Sequence, residues 1–97
     1  MTARYFKRHW DETTGEELTD NWGTSIYYFE TNENLHVTRQ MQVFDNGRIL
    51  KYDTYYIYDK FGGLSEAPLD KDEFEDYRIE GDEFEQLWAN SAQGSSG

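Results

Sequence analysis

The sequence predicts an α+β domain: an antiparallel four- to five-stranded meander sheet with a short helix and a C-terminal helix packed on one face. Three observations predict it. An Asn46-Gly47 turn lies between two runs of β-prone residues. Two further aromatic-rich runs precede it. The C-terminal third carries paired helix-start signals followed by a helical apolar stripe. Ninety-seven residues can bury one core and are too few for two. Residues 1–90 are expected to form a single globular domain, and residues 91–97, small and polar, a disordered tail.

Arg4 to Trp10 reads as the first strand, with Tyr5, Phe6 and Trp10 supplying β-prone side chains. The polar stretch Asp11 to Asn21 reads as a loop. Ser25 to Glu30 is a second strand, Thr31 to Asn34 a four-residue turn, Leu35 to Phe44 a third strand and Arg48 to Tyr58 a fourth.

A two-residue type I′ turn at Asn46-Gly47 would set the register of the last two strands. It places Val43 opposite Leu50, Met41 opposite Tyr52 and Arg39 opposite Thr54, a nearly all-apolar face. The other face is mixed and includes Thr38 opposite Tyr55 and His36 opposite Ile57. Pairing Glu30 with Leu35 across the preceding turn extends both faces, with Tyr28 beside Val37 and Phe29 beside His36. Side chains alternate along a strand, so a one-residue slip would exchange the faces.

Beyond the meander, Gly62-Gly63 marks a turn and Pro68 an extended approach. Asp70 and Glu73 stand at capping-box spacing, and Leu69 and Phe74 at the positions of a hydrophobic staple, which predicts a helix over Lys71 to Tyr77. Gly81-Asp82 opens a second helix, with Asp82 and Glu85 again at capping-box spacing. Phe84, Leu87 and Trp88 form its buried stripe.

Composition narrows the function. Aromatics make up 18% of the chain against 36% total apolar residues, so the core must be built largely from rings and some must reach water. The absence of cysteine excludes disulfides and thiolate metal sites. No apolar leader or membrane-length run is visible, so a cytoplasmic location is expected. The net charge is −11, of which residues 61–97 contribute −8. Such a field disfavours nucleic acid and anionic membranes and favours basic protein surfaces.

No motif of nucleophilic, metal-dependent or phosphate chemistry is present, and neither catalysis nor a cofactor is expected. The acids from Asp70 to Asp76 fail the calcium-loop pattern, because Glu75 stands where the sharp turn needs glycine. His9 and His36 are the only histidines, and His36 reads as a half-exposed sheet residue. Tyr27, Phe29, His36, Tyr55 and Ile57 fall together on the mixed face and form the candidate protein-binding patch. Arg39 falls within the apolar face. It requires a carboxylate partner, as a core ion pair with the C-terminal acids, or else it marks a ligand pocket between sheet and helix.

Tyr28-Phe29-Glu30, Val37-Thr38-Arg39-Gln40, Phe44-Asp45-Asn46-Gly47, Lys51-Tyr52-Asp53, Gly63-Leu64-Ser65, Ala67-Pro68-Leu69 and Glu83-Phe84-Glu85-Gln86-Leu87-Trp88 occur in the order seen in a family of small, poorly characterised, acidic bacterial proteins, which the chain resembles over about two-thirds of its length. That family is similar in size and acidity to immunity proteins that neutralise polymorphic toxins. The resemblance implies a protein-binding domain, an immunity-like inhibitor of a basic toxin, and carries over no active-site residue. The alternative is a small-ligand-binding or catalytic domain with a cleft near Arg39.

Overall fold

The computed structural model describes residues 3–91. Apart from Ser91, the expected tail lies outside the described residues. Four antiparallel strands, β1 (Arg4–Trp10), β2 (Ser25–Thr31), β3 (Val37–Phe44) and β4 (Ile49–Asp53), form a sheet in chain order. A two-residue pair, β5 (Tyr58–Asp59) and β6 (Gly62–Gly63), makes a small second sheet. Helix α1 (Lys71–Phe74) continues as a 3-10 turn, Glu75–Tyr77, and α2 (Gly81–Ala89) closes the fold. The α+β meander is as the sequence predicts.

The turn geometry differs from the expectation, and the register differs with it. The loop at Asn46 holds three residues, not two. Phe44 and Arg48 form the closing pair, the Gly47 N–H donates to the Phe44 carbonyl at 2.9 Å, and only Gly47 takes positive φ, at +90°. This is a type I turn followed by a left-handed residue and a bulge. Asn46 keeps negative φ and uses its side-chain oxygen to accept the Arg48 N–H at 2.9 Å. The preceding hairpin repeats the geometry: Leu35 N–H donates to the Asn32 carbonyl at 3.0 Å, Asn32 N–H to the His36 carbonyl at 3.0 Å, and Leu35 takes φ +67°.

The extra loop residue slips β4 by one. Val43 pairs with Ile49, Met41 with Lys51 and Arg39 with Asp53, so Leu50 and Tyr52 lie on the face opposite to the one expected. Between β2 and β3 the strands slide further: Tyr28 pairs with Met41 and Phe29 with Gln40, and a bulge at Glu30/Thr31 moves Val37 across to the second face.

Both faces are covered as a result. On the first, Phe84 of α2 is fully buried against Tyr28 and Met41, with Leu87 and Trp88 packed beside it, so the predicted stripe is the contact. On the second, Phe74 of α1 joins Phe6, Phe29, Leu35 and Val37, while Trp22, Phe61 and Leu64 pack on Phe44, Leu50 and Tyr52. The Asp70 cap forms, its carboxylate accepting the N–H groups of Asp72 (2.9 Å) and Glu73 (3.1 Å), and Leu69 joins the cluster of Phe74. The expected box at Asp82 does not form: Glu80 occupies the cap position without a side-chain bond, and Glu85 turns to Arg39.

Candidate functional site: an aromatic loop and an adjoining cleft

The expected patch is divided. Tyr27 and Phe29 do meet, stacked at 5.5 Å with their planes 4° apart, but Phe29 is buried beneath the edge of Phe74. Tyr27 is half-buried beside Trp10, and burial raises its phenol above the ordinary value against a hydrogen bond with Gln42. His36 is exposed in the loop between β2 and β3. Tyr55 and Ile57 are not on a strand. The Asp53 carboxylate accepts the N–H groups of Tyr55 and Tyr56, each at 2.8 Å, and this side-chain turn ends β4 five residues before the expected end at Tyr58.

That turn starts a run of four large side chains, Tyr55-Tyr56-Ile57-Tyr58, all exposed to water. Tyr55 is 96%, Tyr58 77% and Ile57 51% exposed. The loop is nonetheless held in shape. Asp59 accepts from the Tyr52 hydroxyl at 2.8 Å, the Tyr56 hydroxyl at 2.7 Å and the Phe61 N–H at 2.9 Å. Tyr52 and Tyr56 stack at 5.9 Å. Burial opposes ionisation of Asp59, but the hydrogen bonds from Tyr56, Phe61 and Tyr52 outweigh it and hold the carboxyl below its ordinary value. The Tyr52 phenol is pushed far up, first by burial and then by its bond to Asp59. Asp59 is therefore an ionised hub that joins the strand core to the loop.

Beside the loop a cleft of about 760 Å³ opens on the second sheet face. Its base is Tyr27, Gln40, Gln42 and Tyr52, and the residues 14–19 loop and the turn after β5 form its sides. A smaller cleft of about 300 Å³ adjoins it, sharing Trp10, Tyr27, Gln40 and Gly63. The buried Gln40 amide spans the base, donating to the Gly63 carbonyl (3.1 Å) and accepting from the Ser65 N–H (2.9 Å).

Neither cleft is lined by Arg39, for which the sequence left open a core ion pair or a ligand pocket. Its guanidinium pairs with Glu30 of β2 and Glu85 of α2 and lies 5.0 Å from the Phe84 ring and 5.1 Å from the Trp88 ring. The hydrogen bond to Glu30, above all, raises the Arg39 pKa. Burial alone would raise the Glu30 carboxyl, but the bonds from Arg39 and Thr38 hold it low, and the bond from Arg39 does the same for Glu85. Among the described residues no group of three or more His, Cys, Asp or Glu could hold a metal ion, and no helix is long and apolar enough to cross a membrane.

The sequence reading missed Trp10, Gln40, Gln42 and Asp59. Gln40 and Gln42 carried a usable signal: two uncharged amides at alternate positions of a strand share one face, and buried amides there need partners above the sheet. Asp59 carried only a local one, the side-chain turn to the Phe61 N–H; its bonds to the Tyr56 and Tyr52 hydroxyls depend on the chain folding back over the end of β4. Comparison with protein-family models, curated proteins and solved structures returned no match.

Proposed function

We propose that this chain is a bacterial, cytoplasmic protein-binding domain, an immunity-like inhibitor that occludes a basic toxin rather than transforming it. The observation that carries the reading is the Tyr55-Tyr56-Ile57-Tyr58 loop, solvent-exposed yet fixed by Asp53 and Asp59. Tyrosines are favoured as binding anchors because each supplies a large, rigid, amphipathic surface with few rotamers to immobilise. A loop already ordered loses less entropy on docking. The net charge of −11 supports a basic partner and fast, salt-sensitive encounter.

The test is coexpression with a basic toxin encoded beside this protein, followed by binding kinetics on the purified pair. Neutralisation is expected, with an association rate that falls as salt rises. Tyr55→Ala and Tyr58→Ala are each expected to weaken binding by about tenfold or more while leaving the melting temperature unchanged. Neutralisation that survives the double substitution Tyr55→Ala/Tyr58→Ala with unaltered affinity would refute the reading.

A further inference from the structure

The cleft on the second sheet face has a chemistry of its own, independent of any protein partner. Three lining side chains are acids, Glu16, Glu17 and Asp59, against the single base Lys60. Asp59 is the informative one. It is partly buried and held ionised by neutral donors, and among the described residues it forms no salt bridge. An ionised carboxylate withdrawn from water is stabilised further by an opposite charge at close range. The surrounding walls are aromatic: Trp10, Tyr27 and Phe61 all line the space. Rings of this kind attract cations through their faces, and two of these three already do so, Trp10 with Arg8 at 5.3 Å and Phe61 with Lys60 at 5.1 Å. A volume of about 760 Å³ suits a small organic molecule. The field excludes phosphates and carboxylates.

We propose that this cleft binds a small organic cation, an ammonium or guanidinium head on a short apolar or aromatic body. The head lies toward Asp59 and the Glu16/Glu17 rim, and the body lies against Tyr27 and Phe61. Lys60, which forms no salt bridge among the described residues, leaves its place over the Phe61 ring as the ligand enters.

Nitrogen-15 NMR titration of the full chain tests this, with benzylammonium, its uncharged isostere benzyl alcohol and the anion benzoate as probes. Benzylammonium is expected to give saturable shifts at the Trp10 indole and the Gln40 and Gln42 side-chain amides. Benzyl alcohol should bind at least about tenfold more weakly and benzoate not at all. Because Asp59→Asn removes a structural hub, the second arm is Glu16→Gln/Glu17→Gln, two exposed side chains whose loss leaves the core intact. It should weaken benzylammonium several-fold without changing the melting temperature, and raising salt should do the same. Equal binding of the alcohol, shifts centred on the acidic surface of α2, or no saturation by millimolar ligand would each overturn the proposal.

Discussion

Replacing Arg39 with methionine tests the ion pairs that it makes within the sheet, to Glu30, and across to the C-terminal helix, to Glu85. The guanidinium and its Glu30 partner are only 21% and 14% exposed, so breaking that pair leaves a carboxylate largely out of water. Removing one partner of a fully buried pair costs about 3–5 kcal/mol; at this partial exposure about 2 kcal/mol is the appropriate share. Glu85 is 49% exposed and solvent-screened, and adds about 0.5 kcal/mol. Loss of the cation over Phe84 and Trp88 adds a further ~0.5–1 kcal/mol. Arg39→Met should therefore cost about 3 kcal/mol, a fall in melting temperature of roughly 15 °C for a domain this size, while Glu85→Gln should cost about 0.5 kcal/mol. Urea unfolding followed by far-UV circular dichroism measures both. In the cycle with Glu30→Gln, the double variant should be less destabilised than the two singles predict, by about 1 kcal/mol or more. If Arg39→Met proves no costlier than Glu85→Gln, or the cycle closes without coupling, the half-buried Arg39–Glu30 pair does not stabilise the sheet.

The same carboxylates set the acid limit. Glu30, Glu85 and Asp59 all have folded-state pKa values below their ordinary ones, so the unfolded chain binds protons more readily. Their stabilisation is complete above the ordinary carboxylate range and is lost as pH falls through the folded values. Thermal melts should thus show stability falling below about pH 4.5, with a shallower fall in Arg39→Met. At the second hairpin, Gly47→Ala should cost about 1–2 kcal/mol because alanine must enter the left-handed region, whereas Asn46→Ala loses only its bond to the Arg48 N–H, about 0.5–1 kcal/mol; equal costs in urea titrations would favour a two-residue turn. At Leu35, glycine should be tolerated better than alanine by about 1 kcal/mol, the reverse of the usual order, since both lose the buried side chain and only glycine relieves the positive φ.

The four main strands and both helices were legible as elements, whereas the β5–β6 pair was not. The boundaries of β1, the span of α1 with its 3-10 extension, the Asp70 cap and the Phe84-Leu87-Trp88 stripe all follow from local rules that the structure obeys. Register was not. A type I′ turn and a three-residue loop ending in a left-handed glycine both accept Asn-Gly, and they differ by one residue in pairing. Lys51 shows why hydrophobic pattern did not settle the choice. It lies beside Met41 on the α2 face, but its ammonium reaches the carbonyls of Trp88 (2.7 Å) and Ser91 (2.9 Å) at the end of α2 and sits 4.3 Å from the Trp88 ring. A lysine that caps a helix carbon-terminus is at home on a buried face, although the sequence pattern marks it as a solvent position. Leu35 misled in the same way: leucine is not a turn residue, and it is held at positive φ by its burial among Phe6, Phe29, Val37 and Phe74.

One residue in a turn thus relocates the candidate site. In the expected register, one sheet face carries the core and the other presents Tyr27, Phe29, His36, Tyr55 and Ile57 to a partner. In the observed register Leu50 and Tyr52 move to that second face, which then requires its own cover. Trp22, Phe61, Leu64 and α1 supply it, and Phe29 is withdrawn beneath them. The cover is incomplete where buried amides rather than hydrocarbon occupy β3, and the cleft lies there, over Gln40 and Gln42. The end of β4 at Asp53 in turn releases Tyr55 to Tyr58 from the sheet and leaves them as the largest exposed aromatic run among the described residues. Asp59 meets both features, with one oxygen on Tyr52 beneath the cleft and the other on Tyr56 in the loop. The surfaces available for binding are therefore set by how the second face is closed, and not by the alternation of side chains along any one strand.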